Sequence, residues 1–285
     1  MKYFYTTKIS KRTWRIEDLA STKMYLIEGD HTAALIDTGS GVGDLYSHIR
    51  SLTSKPLIII LTHGHLDHAM GTGSFPPDIP IYLHPADETL YRNDSVLSRR
   101  QQYVKSQQIL RGLKQFSYKP REDDWYSVRD FESFLPLHVG QLFDLGGERL
   151  RICPGEGHTR GCVTILLEEE RSLLLGDAVN GSIFLFDKDC LSIKDFKTTL
   201  LQLKKDTQGC YDRTYLCHGS GDGENNLIDG AIYICDKILA KEDYHFPQKR
   251  MGQKCYSAKK ISFPYRFHDI GDHSSANILY KITEY

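Results

Sequence analysis

The chain has 285 residues, 40% of them hydrophobic and 26% charged, with a formal net charge of -1. That length is ample for a real core, as one large domain or two small ones, and the near-neutral charge singles out no partner, so nucleic-acid binding would need a local basic patch. No apolar run is long enough for a signal peptide or a bilayer span, which points to a cytoplasmic protein that does not use a membrane.

Residues 1–37 alternate in the manner of antiparallel strands, and Gly29-Asp30 is a turn signal between Lys23–Glu28 and Thr32–Asp37, which predicts a hairpin. After the turn Asp37-Thr38-Gly39-Ser40-Gly41, apolar residues at Val42, Leu45, Tyr46 and Ile49 predict a helix over 42–52. The apolar run Pro56–Ile60 reads as a buried strand. It leads into Leu61-Thr62-His63-Gly64-His65-Leu66-Asp67-His68, the stretch around which the chain is organised. His63 and His65 lie two apart and would point the same way in extended backbone. Asp67 and His68 stand where a helix is expected to begin and, being adjacent, diverge; one pair could serve one ion and the other pair a second.

Ile79–His84 is the next predicted strand, and the strand–helix–strand order indicates an α/β class. Residues 86–135 break this rhythm. Ala86–Phe116 has apolar residues at helical spacing, from Leu90 and Tyr91 to Leu113. Within 92–121 stand eight basic residues (Arg92, Arg99, Arg100, Lys105, Arg111, Lys114, Lys119, Arg121) against one acid, Asp94. One reading is a solvated helical face. The sharper one is a helical lid whose Arg99 and Arg100 attract an anionic substrate.

Strands resume at 140–145, 150–153, 163–167 and 172–175, with helices over 192–206 and 226–241 flanking a strand at 213–217. The tail from 243 is polar and aromatic and ends in a strand over 276–282. No internal repeat or low-complexity linker interrupts the chain, which reads as one domain over 1–285, with 86–135 inserted and 243–285 as a C-terminal extension. The seven cysteines are odd in number and form no Cys-x-x-Cys pair, so they read as reduced thiols, most of them small core residues.

Imidazole and carboxylate donors packed as closely as those of 63–68 suit zinc, iron or manganese. Three later positions, His158, Asp177 and His218, each follow a strand in a glycine-containing turn, where the backbone can approach an ion closely. Five histidines and two aspartates suffice for two ions sharing one carboxylate.

In order, Asp37-Thr38-Gly39, Thr62–His68, Gly157-His158-Thr159, Gly176-Asp177 and His218-Gly219 resemble the motifs of the metallo-β-lactamase superfamily of metallohydrolases. That resemblance implies a four-layer αββα sandwich. It implies a first metal on His63, His65 and His158, a second on Asp67, His68 and His218, and Asp177 bridging them, with Asp37 as a supporting residue. Two divalent ions, zinc foremost with iron or manganese as alternatives, would then activate water, and Asp67 would also orient it. The implied activity is cleavage of an ester, thioester, lactone or phosphodiester bond in a small molecule.

Asp177 stands where some antibiotic-hydrolysing lactamases have cysteine, which argues against that role. Gly157-His158-Thr159 is similar to glyoxalase II and to acyl-homoserine lactonases. The tail is short for the helical domain of the former, and Val179-Asn180-Gly181 follows Asp177 without the lactonases' catalytic tyrosine, yet both assignments stay open. A mononuclear iron dioxygenase of the same fold is an alternative, and a nuclease using 92–121 is another. His84 and His138 read as capping or structural residues. His268 and His273 of the tail motif His268–His273 are candidate substrate contacts. Oligomeric state does not follow from the sequence.

Overall fold

The computed structural model describes residues 3–111, 118–262 and 266–281. The chain divides into two compact units, 1–150 and 151–285, the boundary falling inside one strand, Arg149–Pro154.

The first unit carries strands β1 (Tyr5–Lys8), β2 (Thr13–Glu17), β3 (Lys23–Glu28), β4 (Ala33–Ile36), β5 (Leu57–Ile60), β6 (Ile81–Leu83), β7 (Leu135–Pro136) and β8 (Leu142–Asp144), and helices α1 (Leu45–Leu52), α2 (Glu88–Asp94) and α3 (Leu97–Arg111). Strands β1 to β7 form a sheet in chain order. Its first half is a meander, including the expected β3–β4 hairpin with Glu28 opposite Ala33. From β4 onward the pairing is parallel, and Ile36 of β4 lies level with Ile60 of β5, so both strands end at one edge. Strands β3 and β4 are almost wholly buried, as continuous apolar runs covered on both faces must be. Met24, Leu26, Leu35, Ile59 and Ile81 pack with Leu45 and Ile49 of α1 in this unit's core. The Asp44 carboxylate caps α1 by accepting from the Ser47 amide at 2.9 Å.

The long helix expected over 86–116 is two helices with a break at Ser95-Val96. Leu113 and Lys114, part of that expectation, lie outside the described residues. The helix expected to begin at Asp67 is instead one turn: the amides of His68 and Ala69 both donate to His65 O at 3.0 Å. A parallel bridge between Gly39 and Ala69 then pulls the backbone back against the 37–41 turn.

In the second unit the strands are β9 (Arg149–Pro154), β10 (Val163–Leu167), β11 (Ser172–Leu174), β12 (Ile183–Leu185), β13 (Arg213–Tyr215), β14 (Asp222–Gly223), β15 (Phe246–Arg250), β16 (Gln253–Ser257), β17 (Ile261–Ser262), β18 (Arg266–Phe267) and β19 (Ile278–Tyr280), with helices α4 (Ile193–Thr207) and α5 (Leu227–Leu239). One sheet runs β14-β13-β11-β10-β9, and β11 and β13 are parallel. A second runs β12-β19-β16-β15; β19 lies within the strand expected over 276–282, and β15 and β16 are strands that the polar and aromatic composition of the tail does not announce. Phe196, Leu200 and Leu203 form the buried stripe of α4 and pack with Ile234 and Ile238 of α5. Each such side chain contributes about 1.5–3 kcal/mol by leaving water. The seven cysteines are all free thiols.

Candidate metal centre

In the first unit the candidate donors sit just past the carboxyl ends of β4 and β5. Asp37 follows β4 with φ 63°, a left-handed conformation that aspartate tolerates better than most residues. From there its fully buried carboxylate accepts from the Thr62 amide at 2.7 Å, from Thr62 Oγ1 at 2.9 Å and from His68 Nδ1 at 2.8 Å. The Thr62 proton is thus spent on Asp37, so the 3.0 Å contact between Thr62 Oγ1 and His63 Nδ1 is donated by the histidine. In its neutral form each ring then carries its proton on Nδ1 and leaves Nε2 unprotonated. The His63 ring centroid lies 4.1 Å from that of His68 and 4.9 Å from that of His65. His63 and His68 are buried; His65 is half-buried.

Asp67 is 7% exposed. Its Oδ2 accepts from Tyr103 Oη at 2.6 Å and Thr22 Oγ1 at 3.2 Å, and lies 3.8 Å from His68 Nε2. Beneath it, Asp18 takes bonds from the amides of Ala20, Thr22 and Ser40 and from Ser40 Oγ. Burial nevertheless pushes the Asp18 carboxyl up, and the nearby Asp67 charge adds to the rise.

Two further carboxylates hold the loop's backbone. Asp87 Oδ2 accepts from the Gly64 amide at 2.8 Å and Asp94 Oδ2 from the Leu66 amide at 3.2 Å. Gly64 eases this approach, since a Cβ there would lie a tight 3.1–3.2 Å from Asp87 and the Tyr91 amide. Asp87, Asp94 and Tyr103 are site-supporting residues that sequence reasoning misses. Their partners lie 23, 28 and 36 residues away, and no local motif marks them.

In the second unit, Asp177 follows β11 and His218 follows β13; because these strands are parallel neighbours, both residues emerge at one sheet edge. His218 Nε2 lies 3.1 Å from Asp177 Oδ2, and His158 Nε2 lies 3.9 Å from the same oxygen. His158 comes from the turn after β9, where Gly157 packs so closely on Phe196 that a Cβ would lie 2.2 Å from its ring. Its Nδ1 donates to Phe184 O at 2.9 Å. A carbonyl only accepts, so the neutral ring again presents a bare Nε2. The Cys190 thiol donates to His158 O and Phe184 O, and burial pushes it up to about 12.

The same pattern therefore recurs in both units. A histidine whose Nδ1 proton is engaged elsewhere turns its Nε2 toward a buried carboxylate oxygen: His68 to Asp67, and His158 to Asp177. Imidazole nitrogens and carboxylate oxygens brought together in this way are the donor set of borderline divalent metals. The residues present fit such ions.

The basic residues of 92–121 divide. Arg99 has a side chain 54% exposed and pairs with Asp94 at 3.2 Å. Arg100, expected to face an anion, is 2% exposed instead. Its guanidinium donates to Met70 O at 3.3 Å and Tyr126 O at 2.9 Å and lies over the Trp125 ring. In the tail, His273 is exposed and holds Asp269 at 2.8 Å, and His268 is exposed. The carboxylate of Asp272 in the same motif is buried on Lys259 Nζ at 2.7 Å. His84 caps the turn after β6, its Nδ1 accepting from the Ala86 amide at 3.2 Å.

A family model described as the metallo-beta-lactamase superfamily matches residues 18–218. The chain is 25% identical over 173 residues to an acyl-coenzyme A thioesterase, MBLAC2, of Bos taurus, a match covering 56% of this chain and 59% of that protein. It is 29% identical over 181 residues to a probable metallo-hydrolase of Streptococcus pyogenes serotype M6, covering 62% and 69%. The chain thus spans less than two thirds of the bovine relative. Among solved structures, a metallo-beta-lactamase from Pontibacter korlensis aligns with TM-score 0.58 at 18% identity, over 82% of this chain and 99% of that one. A sec-alkyl sulfatase, PisA1, aligns with TM-score 0.62 at 12% identity, over 83% and 42%. At such identities the likeness shows the fold alone, and it is the expected α/β class. No helix among the described residues is long and apolar enough to cross a membrane. With the family model spanning 18–218, every candidate donor from Asp37 to His218 included, the chain belongs to the metallo-β-lactamase superfamily.

Proposed function

We propose that the protein is a dinuclear metal-dependent hydrolase acting on an ester, thioester, lactone or phosphodiester bond of a small substrate. His63, His65 and His158 would hold one divalent ion, and Asp67, His68 and His218 the other, with Asp177 serving both. Zinc is the first choice of metal. Bound there, the ions would supply Lewis acidity and lower the pKa of water toward 7 from about 15.7.

The observation that carries this reading is the paired tautomer control. Asp37 in one unit and Phe184 O in the other fix the Nδ1 protons of His68 and His158 and leave Nε2 to ligate. The chain's own residues would do the rest. Asp67 would hold the attacking water in line, Asp37 would stabilise charge on His68, and buried Thr62 would keep the His63 ring in place.

Thioesters head the list of substrates to try, because the bovine relative is a thioesterase by name. An anionic substrate would meet the exposed Arg99. Zinc-loaded protein assayed against acyl thioesters, lactones, aryl esters and phosphodiesters should hydrolyse at least one class, lose the activity on chelation and regain it with zinc. Activity that survives complete metal removal would overturn the reading. Two zinc or manganese ions per chain would separate it from a mononuclear iron dioxygenase.

A further inference from the structure

We infer that Tyr103 is a positioning residue for Asp67, so that helix α3 of the 86–135 insertion sets the geometry of a metal ligand. The inference rests on the metallohydrolase reading and deepens it. Tyr103 Oη lies 2.6 Å from Asp67 Oδ2, and Thr22 Oγ1 reaches the same oxygen at 3.2 Å. A phenol can only donate to a carboxylate, and a bond to a charged acceptor is about twice as strong as a neutral one.

The ring that carries this hydroxyl is itself held. Tyr103 packs against the small cluster of Leu19, Ala20, Val42 and Val104. Arg100, one turn earlier on α3, ties the helix to Met70 O, just beyond the ligand loop. Asp94, at the end of α2, holds the Leu66 amide next to Asp67. Helices α2 and α3 therefore grip the loop on either side of Asp67 and the Asp67 carboxylate itself.

What this does is specific. The terminal torsion of an aspartate is broad and roughly two-fold, so an unheld carboxylate samples orientations unsuited to an ion. Two hydroxyls donating to one of its oxygens from different elements, Tyr103 from α3 and Thr22 from the β2–β3 connection, fix its plane. A ligand oriented in this way does not pay for ordering when the ion binds, and loss of such a supporting contact costs about 10–100-fold in metal affinity.

The test is metal binding by Tyr103→Phe, which keeps the ring and its packing and removes only the hydroxyl. Cobalt(II) or zinc titrated into metal-free protein against a chromophoric chelator should show one of two affinities falling about tenfold or more, with the other unchanged. The cobalt ligand-field spectrum of the fully loaded variant should change. Thr22→Val should act in the same direction, which keeps the inference testable if Tyr103→Phe does not fold. Tyr118→Phe removes a phenol from the same cluster that bonds Asp124 instead, at 2.5 Å, and should leave both affinities and the spectrum unchanged.

Wild-type protein that takes up two ions, with Tyr103→Phe and Thr22→Val indistinguishable from it, would overturn the positioning role and leave the dinuclear reading standing. Equal losses in Tyr103→Phe and Tyr118→Phe would make the effect one of general packing and also overturn it. Wild-type protein that takes up no second ion would overturn the dinuclear reading and this inference together.

Discussion

Asp37 concentrates the residue-scale physics. It is fully buried, stands in the left-handed region, and spends its carboxylate on Thr62 and His68. An asparagine could still accept from the Thr62 amide through its carbonyl oxygen. Toward His68 Nδ1, however, its amide would present a donor unless the side chain flipped, so the bond that fixes the ring tautomer is lost or weakened. Asp37→Asn should therefore keep a native circular-dichroism spectrum while metal affinity falls about 10–100-fold. Unchanged affinity in a calorimetric titration would show that the His68 tautomer is set by something other than Asp37. The donors themselves are legible in the sequence for a physical reason: His63 to His68 fall within six residues, and His158, Asp177 and His218 each follow an apolar strand in a glycine turn. The residues that hold them are not legible. Phe184 acts through its backbone carbonyl, which carries no sequence signature, and Tyr103 reads as one more apolar position on a helix.

At the scale of elements, α2 and α3 act as a brace for the ligand loop. Sequence periodicity finds their helical character but not the break at Ser95-Val96, because no glycine or proline marks it. Nor does counting charge separate Arg99 from Arg100, since burial is decided by which side of α3 meets Met70 and Trp125. The two arginines should accordingly differ in urea unfolding. Arg100→Ala leaves two backbone carbonyls without their donor and opens a hole under Trp125, and should cost about 2 kcal/mol or more. Arg99→Ala removes a partly exposed ion pair and should cost about 1 kcal/mol or less, with its main effect a higher KM for an anionic substrate. Equal costs would place Arg100 outside the brace. The tail shows the same limit of legibility: β15 and β16 pair through Phe246–Arg250 and Gln253–Ser257, whose polar composition hides them until β19 supplies a partner.

For the whole molecule, the parallel pairs β4–β5 and β11–β13 explain why candidate donors lie at strand carboxyl ends in both units. Neighbouring parallel strands end at one edge, so short turns after them bring side chains together that are distant in sequence. Family membership over 18–218 and the recurrent pairing of a histidine Nε2 with a buried carboxylate support the central proposal, that seven side chains hold two ions. Metal quantitation on chelator-stripped, reloaded and desalted protein tests it most directly. Two zinc or manganese ions per chain are expected in the wild type and one in His68→Ala, with turnover lost in the variant. A single iron per wild-type chain, or a His68→Ala protein that retains two ions and full turnover, would contradict it.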